Sequence, residues 1–204
     1  MATLNFYFGT MGAGKSTLAL QIHHNLAQTG SGLLITQHDR EADAVSSALG
    51  VSATATVIGP DHDVFAIADE EAAGRGGLDY LVCDEAQFYA PEQVDQLARV
   101  VDELDADVHA FGLLTDFRGR LFSGTARLLE VADQRNELQV QSRCWCGELA
   151  THNARLIDGT QVYDGEVVVV DDGTTADVTY ELRCRKHWMH GTAAPQVERL
   201  RSVG

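Results

Sequence analysis

Short apolar runs and helical stripes alternate along the first two-thirds of the chain. Residues 3–8 form a compact apolar run that reads as a buried strand. A glycine-rich turn follows, then a helix from Lys15 to about Gln28 whose apolar positions are Leu18, Leu20, Ile22 and Leu26. A second apolar run at 32–36 comes after the Thr29-Gly30 break, so strand, helix and strand stand in the order of a parallel βαβ unit. Further strands are expected at 54–58, 80–83 and 108–113, and helices at about 64–73 and 91–104. Pro91 suits the first turn of the latter, where Val94, Leu97, Val101 and Leu104 recur at helical spacing.

Beyond about residue 141 the texture changes. Cysteines enter, helical patterns stop, and β-rich runs at 166–170 and 177–182 flank the turn Asp171-Asp172-Gly173. The expected organisation is an α/β domain over 1–140, a small β-rich domain over 141–191 and a C-terminal tail over 192–204.

Charge narrows the choice of partners. The 204 residues carry a formal net charge of -15, from 15 Lys+Arg against 30 Asp+Glu, and 45% are hydrophobic, as in a soluble globular protein. Such a chain has no general attraction for nucleic acid or an anionic membrane, which need clustered cations. Its lysines are Lys15 and Lys186 alone. A phosphorylated ligand would therefore need a local binding device. No apolar run approaches the roughly 20 residues that span a bilayer, and the first apolar stretch runs directly into the glycine-rich turn, so no secretory leader and a cytoplasmic location are expected.

The local device is present. Gly9-Thr10-Met11-Gly12-Ala13-Gly14-Lys15-Ser16 matches GxxxxGK[ST] between an expected strand and an expected helix, the context this phosphate loop requires. Its glycines let backbone N–H groups point at phosphate oxygens, Lys15 can reach the β- and γ-phosphates of ATP, and Ser16 can ligate Mg²⁺. The fold class is thus α/β with a P-loop NTPase-type parallel sheet. ATPases, GTPases and small-molecule kinases all use such a loop, so it does not identify the acceptor. Asp84 closes the apolar run 80–83, where a second magnesium-directing carboxylate belongs, and Glu85 beside it could position water in an ATPase or accept a hydroxyl proton in a kinase. Gln87-Phe88 offers an amide for a base edge and a ring to stack on it, which suggests a nucleoside acceptor; taken alone, the same pair serves equally as capping and core residues.

With these residues in view, the chain resembles the thymidine kinases of the tetrameric type found in bacteria and in the animal cytosol. The resemblance rests on five segments in order: 9–16, 84–88, 112–122, 144–155 and 180–187. It implies that Glu85 is the general base for the 5′-hydroxyl, that Asp84 and Ser16 hold Mg²⁺, and that Asp84, Glu85, Ala86 and Gln87 belong with the loop to the ATP site. It implies further that Phe88, Leu113 and Phe117 enclose thymine, that Tyr180 packs near the sugar and base, and that Val168, Val169, Val170 and Asp171 read the thymine edge through backbone groups on a flap, the lasso, spanning 141–178. Without the resemblance, Leu113 and Phe117 read as core residues around a strand end. Arg118 and Arg120 are candidates for phosphate neutralisation or plain surface arginines, and Asp39-Arg40 resembles a phosphate-side pair of the family.

Cys144, Cys146, Cys184 and His187 supply three sulfurs and an imidazole, enough for a closed, structural Zn²⁺ site. The CxC spacing of the first pair departs from the family's CxxC, leaving His152 or His190 as alternatives to Cys146. Cys83 reads as a buried core thiol. The resemblance also implies thymidine, and deoxyuridine with it, as acceptor, a homotetramer, and feedback inhibition by thymidine triphosphate (dTTP). The competing reading is a P-loop ATPase with a zinc ribbon acting on nucleic acid, which would need a basic groove that this composition lacks.

Overall fold

The computed structural model describes residues 1–37, 44–46, 50, 52–138, 141–167 and 177–191. Its centre is a parallel sheet of six strands: β1 (Leu4–Gly9), β2 (Gly32–Thr36), β5 (Thr56–Val57), β6 (Tyr80–Asp84), β7 (Asp107–Leu113) and β8 (Gln134–Glu137), in the spatial order β5-β2-β6-β7-β1-β8. Helix α1 (Lys15–Leu26) lies on one face; α2 (Val64–Arg75), α3 (Pro91–Leu104) and α4 (Ser123–Val131) cover the other.

Side chains alternate across the sheet as the strand period of two dictates. Leu33, Ile35, Leu81, Cys83, Val108 and Ala110 point to the side of α2, α3 and α4, whereas Leu34, Tyr80, Val82 and Phe111 point to the side of α1. All five residues of β6 are buried, as expected of a central parallel strand covered on both faces. Gly32 pairs with Tyr80, and a Cβ at Gly32 would fall 2.1 Å from the tyrosine ring, so no larger residue fits there.

The expected strand at 54–58 is divided in two. Ser52–Thr54 forms β4, which pairs antiparallel with β3 (Ala44–Ser46), and only Thr56–Val57 joins the main sheet as β5. Several elements escaped the sequence reading, β8 and α4 among them. β8 is an edge strand of four polar residues, so it carries no hydrophobic pattern, and α4 is a short helix beyond the 112–122 segment.

Residues 152–190 add a second, antiparallel sheet in the order β10-β9-β11, made of β9 (His152–Ile157), β10 (Thr160–Val162) and β11 (Val178–Arg183), with a small core of Ala154, Leu156 and Trp188. Here the expectation that helices cease needs correcting, because α5 (Arg185–His190) follows β11. The strand expected at 166–170 is not formed at Glu166 and Val167, and its remainder lies outside the described residues.

Candidate functional site

The C-terminal edge of the parallel sheet gathers the chemistry. Gly9 ends β1, Leu113 ends β7 beside it, and Asp84 ends β6. After Gly9 the chain must turn tightly, and a Cβ there would meet Ala13 Cβ at 2.8 Å and the Leu138 carbonyl at 2.9 Å. Gly14 caps α1 at φ 76° with no side-chain cap, and the backbone N–H groups of Gly12, Gly14, Lys15 and Ser16 find no acceptor among the described residues. A cluster of open donors at a positive helix end fits a phosphate. Lys15 is buried and donates from Nζ to the Thr10 carbonyl at 3.0 Å. Burial lowers its pKa, while the charges of Glu85 and Asp84 work in the opposite direction.

Asp84 is 3% exposed, and its Oδ1 has no hydrogen-bond partner, although the Ser16 hydroxyl lies near enough to favour the charged carboxylate. Burial first, then the neighbouring charge of Glu85, pushes this carboxyl up to about 6. A buried, under-satisfied carboxylate near the loop serine is a donor set suited to a magnesium ion. Glu85 adopts φ 54° and ψ 32°, the left-handed region, where a non-glycine residue is strained and is frequently functional. It opens a single 3₁₀ turn, Ala86–Phe88. Gln87 is 1% exposed; its Nε2 donates to Glu85 Oε2 at 2.5 Å, and its Oε1 accepts from the Leu113 N–H at 3.0 Å. The amide is thus occupied within the protein and ties Glu85 to the end of β7.

The residues expected to enclose a base are each held by contacts of their own. Phe88 meets Phe122 edge to face at 5.5 Å. Phe117 is buried, with the Arg155 guanidinium 3.7 Å from its ring centre. Arg118 is engaged by Asp116 through Nε and Nη2, both at 2.7 Å, and Asp116 also accepts from the N–H groups of Arg118 and Arg120. Asp116 therefore fixes the loop, while the Arg120 side chain is exposed. Tyr180 on β11 is 40% exposed and accepts at its hydroxyl from Arg155 Nε at 2.9 Å. The P-loop touches the second sheet as well, because the Met11 N–H donates to Asn153 Oδ1 at 2.9 Å. Asp39, Arg40, Val168, Val169, Val170, Asp171 and the 192–204 tail lie outside the described residues.

Cys144, Cys146, Cys184 and His187 bring their four donor atoms within 4.8 Å of one another. His187 Nδ1 lies 3.4 Å from the sulfurs of both Cys144 and Cys184, and the Cys146 and Cys184 sulfurs are 3.9 Å apart. Sulfurs bound at zinc distance in a tetrahedron stand about 3.7 Å apart, so the set fits zinc. The short CxC spacing succeeds because the chain turns back at Gly147, at φ 89°, where the Gly147 N–H reaches the Cys144 carbonyl and the Cys144 N–H reaches the Glu148 carbonyl. Burial raises the Cys144 thiol, but the backbone N–H groups of Cys146 and Cys184 together with the side chains of His187 and Cys146 outweigh it and bring the thiol down to about 6, toward the thiolate a metal needs. His152 instead stacks on Trp188, and His190 is exposed outside the group. No helix among the described residues is long and apolar enough to cross a membrane.

The profile of one protein family, described as thymidine kinase, matches residues 2–188. This chain belongs to the thymidine kinase family. Among its relatives, the thymidine kinase of Streptomyces avermitilis is 51% identical over 92% of this chain and 88% of its own, and that of Cutibacterium acnes is 46% identical over 94% and 90%. The thymidine kinase of Ruegeria pomeroyi is 42% identical, covering 96% of this chain and 98% of its own. Solved structures with a fainter likeness include a Pif1 helicase from Candida albicans, at TM-score 0.40 and 16% identity over 67% of this chain and 36% of that one; a likeness at that level carries no weight.

For a member of the thymidine kinase family, the sequence reading omitted three residues that hold the site together. Asn153 bonds the phosphate loop, Arg155 bonds Tyr180, and Trp188 donates from Nε1 to the Phe117 carbonyl at 3.1 Å. Trp188 also packs where a Cβ at Gly119 would come within 2.6 Å of its ring. Asn153 and Arg155 sit on one strand at a spacing of two, the only sequence signal they leave.

Proposed function

We propose that this member of the thymidine kinase family transfers the γ-phosphoryl group of ATP to the 5′-hydroxyl of thymidine, and of deoxyuridine, giving thymidine monophosphate in nucleotide salvage for DNA synthesis. The observation that carries the reading is Glu85: a strained carboxylate next to Asp84 at the end of β6, close enough to Lys15 of the phosphate loop to act on its charge and held by the buried Gln87 amide. In this reading the thymidine 5′-oxygen forms its bond to the γ-phosphorus as the bond to the β–γ bridging oxygen breaks and ADP leaves. Glu85 takes the hydroxyl proton and later releases it to water. The open N–H groups of residues 9–16 and the Lys15 ammonium hold the triphosphate. Ser16 and Asp84 would hold magnesium, which when bound neutralises charge on the phosphates.

On the acceptor side, Phe88, Leu113 and Phe117 enclose thymine, Tyr180 flanks the sugar, and the backbone of Val168, Val169, Val170 and Asp171 reads the base edge. Arg118 acts there only if it leaves Asp116. Zinc at Cys144, Cys146, Cys184 and His187 is structural, since all four positions of a tetrahedron are filled by protein. The same reading takes in a cytoplasmic homotetramer inhibited by dTTP, organised as an ATP-binding domain over 1–140, a lasso domain over 141–191 and a tail.

The competing reading, an ATPase working on nucleic acid, is not favoured: the net charge is -15, and the chain belongs to a family of nucleoside kinases. Incubation with Mg-ATP and thymidine, followed by chromatography for thymidine monophosphate, tests the proposal. Glu85→Gln should lower kcat by about 100-fold or more with both KM values little changed. Absence of product from the parent, or an unaffected rate in the variant, would sink it.

A further inference from the structure

Arg155 lies in the middle of β9 and is 2% exposed, a setting in which a guanidinium is tolerated only if its three nitrogens are all placed. They are. Nε donates to the Tyr180 hydroxyl at 2.9 Å, Nη1 to the Glu166 carbonyl at 2.5 Å and Nη2 to the Val167 carbonyl at 2.6 Å. The plane of the group covers Phe117, with Cζ 3.7 Å from the ring centre. Among the described residues no carboxylate lies within salt-bridge distance of Arg155. Ion pairing therefore does not account for burying this cation here.

Its partners share one property. Phe117 belongs to the loop after β7, Tyr180 to β11, and Glu166 and Val167 to the segment that leads toward residues 168–171; each lies in or beside the nucleoside half of the proposed site. Among the described residues, no hydrogen bond or ring contact of Arg155 reaches the phosphate loop. We infer that Arg155 is a positioning residue for the nucleoside: one planar fork that fixes the base-facing loop, the tyrosine and the stem of the flap in a single arrangement. Lysine cannot substitute, because one ammonium lacks both the planar face that stacks on Phe117 and the divergent donors that reach three oxygens. The inference rests on the thymidine kinase reading and adds to it a residue that need not touch the nucleoside.

The test is steady-state kinetics with each substrate varied in turn, on the full chain, with thermal melts to verify folding. Arg155→Met keeps the apolar stem and removes the donors; the expected result is a thymidine KM raised about 10- to 100-fold with the ATP KM within about two-fold of the parent. Arg155→Lys should fall on the same side with little rescue. Tyr180→Phe, which removes a single acceptor and keeps the ring, should raise the thymidine KM by about three- to ten-fold in the parent and add almost nothing in the Arg155→Met background. If Arg155→Met does not fold, Arg155→Lys and Tyr180→Phe carry the same comparison. A folded variant whose thymidine KM stays within two-fold, or whose ATP KM rises equally, overturns the inference. A parent that makes no thymidine monophosphate overturns the kinase reading and this inference together, whereas an active parent matched by its Arg155 variants overturns the inference alone.

Discussion

Asp84 shows how a single residue trades stability for chemistry. A carboxyl whose pKa is raised to about 6 by burial, from an ordinary 3.8, binds its proton more tightly in the folded protein than in the unfolded chain. Folding stability therefore falls as pH rises through that window and stays lowered above it. In magnesium-free, nucleotide-free buffer at about pH 7.5, Asp84→Asn should be more stable than the parent by roughly 1–2 kcal/mol while losing thymidine phosphorylation, and the stability gap should narrow to roughly half by about pH 5. Denaturant melts at the two pH values check this; a variant less stable than the parent at the higher pH contradicts it. The sequence announced Asp84 and Glu85 because acidic residues at the end of an apolar run are conspicuous. It did not announce Gln87 as the brace of Glu85, since the Gln87 contacts with Glu85 and Leu113 depend on a left-handed residue at 85 that no local pattern encodes.

Among the strands of the parallel sheet, legibility followed burial, whereas β9, buried over 153–156, went unread. β6 is buried along its length and could be read residue by residue, and α3, amphipathic with Pro91 at its start, emerged with both ends correct. β8 was illegible because an edge strand made of Gln134-Arg135-Asn136-Glu137 pairs with β1 alone and owes its place to backbone hydrogen bonds. α4 depends on close approach: Gly124 in its first turn lies so near the 3₁₀ turn that a Cβ would sit 2.6 Å from the carbonyl oxygens of both Ala86 and Tyr89. Thr125 one residue on donates to the Leu113 carbonyl at 2.7 Å. Gly124→Ala should accordingly destabilise the fold by about 1–3 kcal/mol, despite the better helix propensity of alanine, and should lower kcat because Glu85 opens that turn. Paired melts and kinetics measure the two effects; a variant as stable as the parent would show that α4 can retreat without consequence.

At the scale of the molecule, the Cys/His group and the loop after β7 are joined through α5. His187 is one of the four side chains that could hold a metal, and Trp188 beside it grips Phe117 and Gly119. The chain has two tryptophans, Trp145 stacked on His187 at 4.0 Å and Trp188. Stripping zinc with a chelator should therefore change intrinsic fluorescence, lower the melting temperature by several degrees and raise the thymidine KM more than the ATP KM. An unchanged emission spectrum after verified metal loss would contradict the coupling. Lysine placement carries a further consequence. Of the two lysines, Lys15 is buried in the phosphate loop and Lys186 is exposed on α5, next to His187. Amine-reactive reagents should consequently modify one lysine side chain of the native protein, so that, once the exposed amino group of Met1 is blocked, an attached dye or tether lands at a defined point on α5 with the phosphate loop untouched.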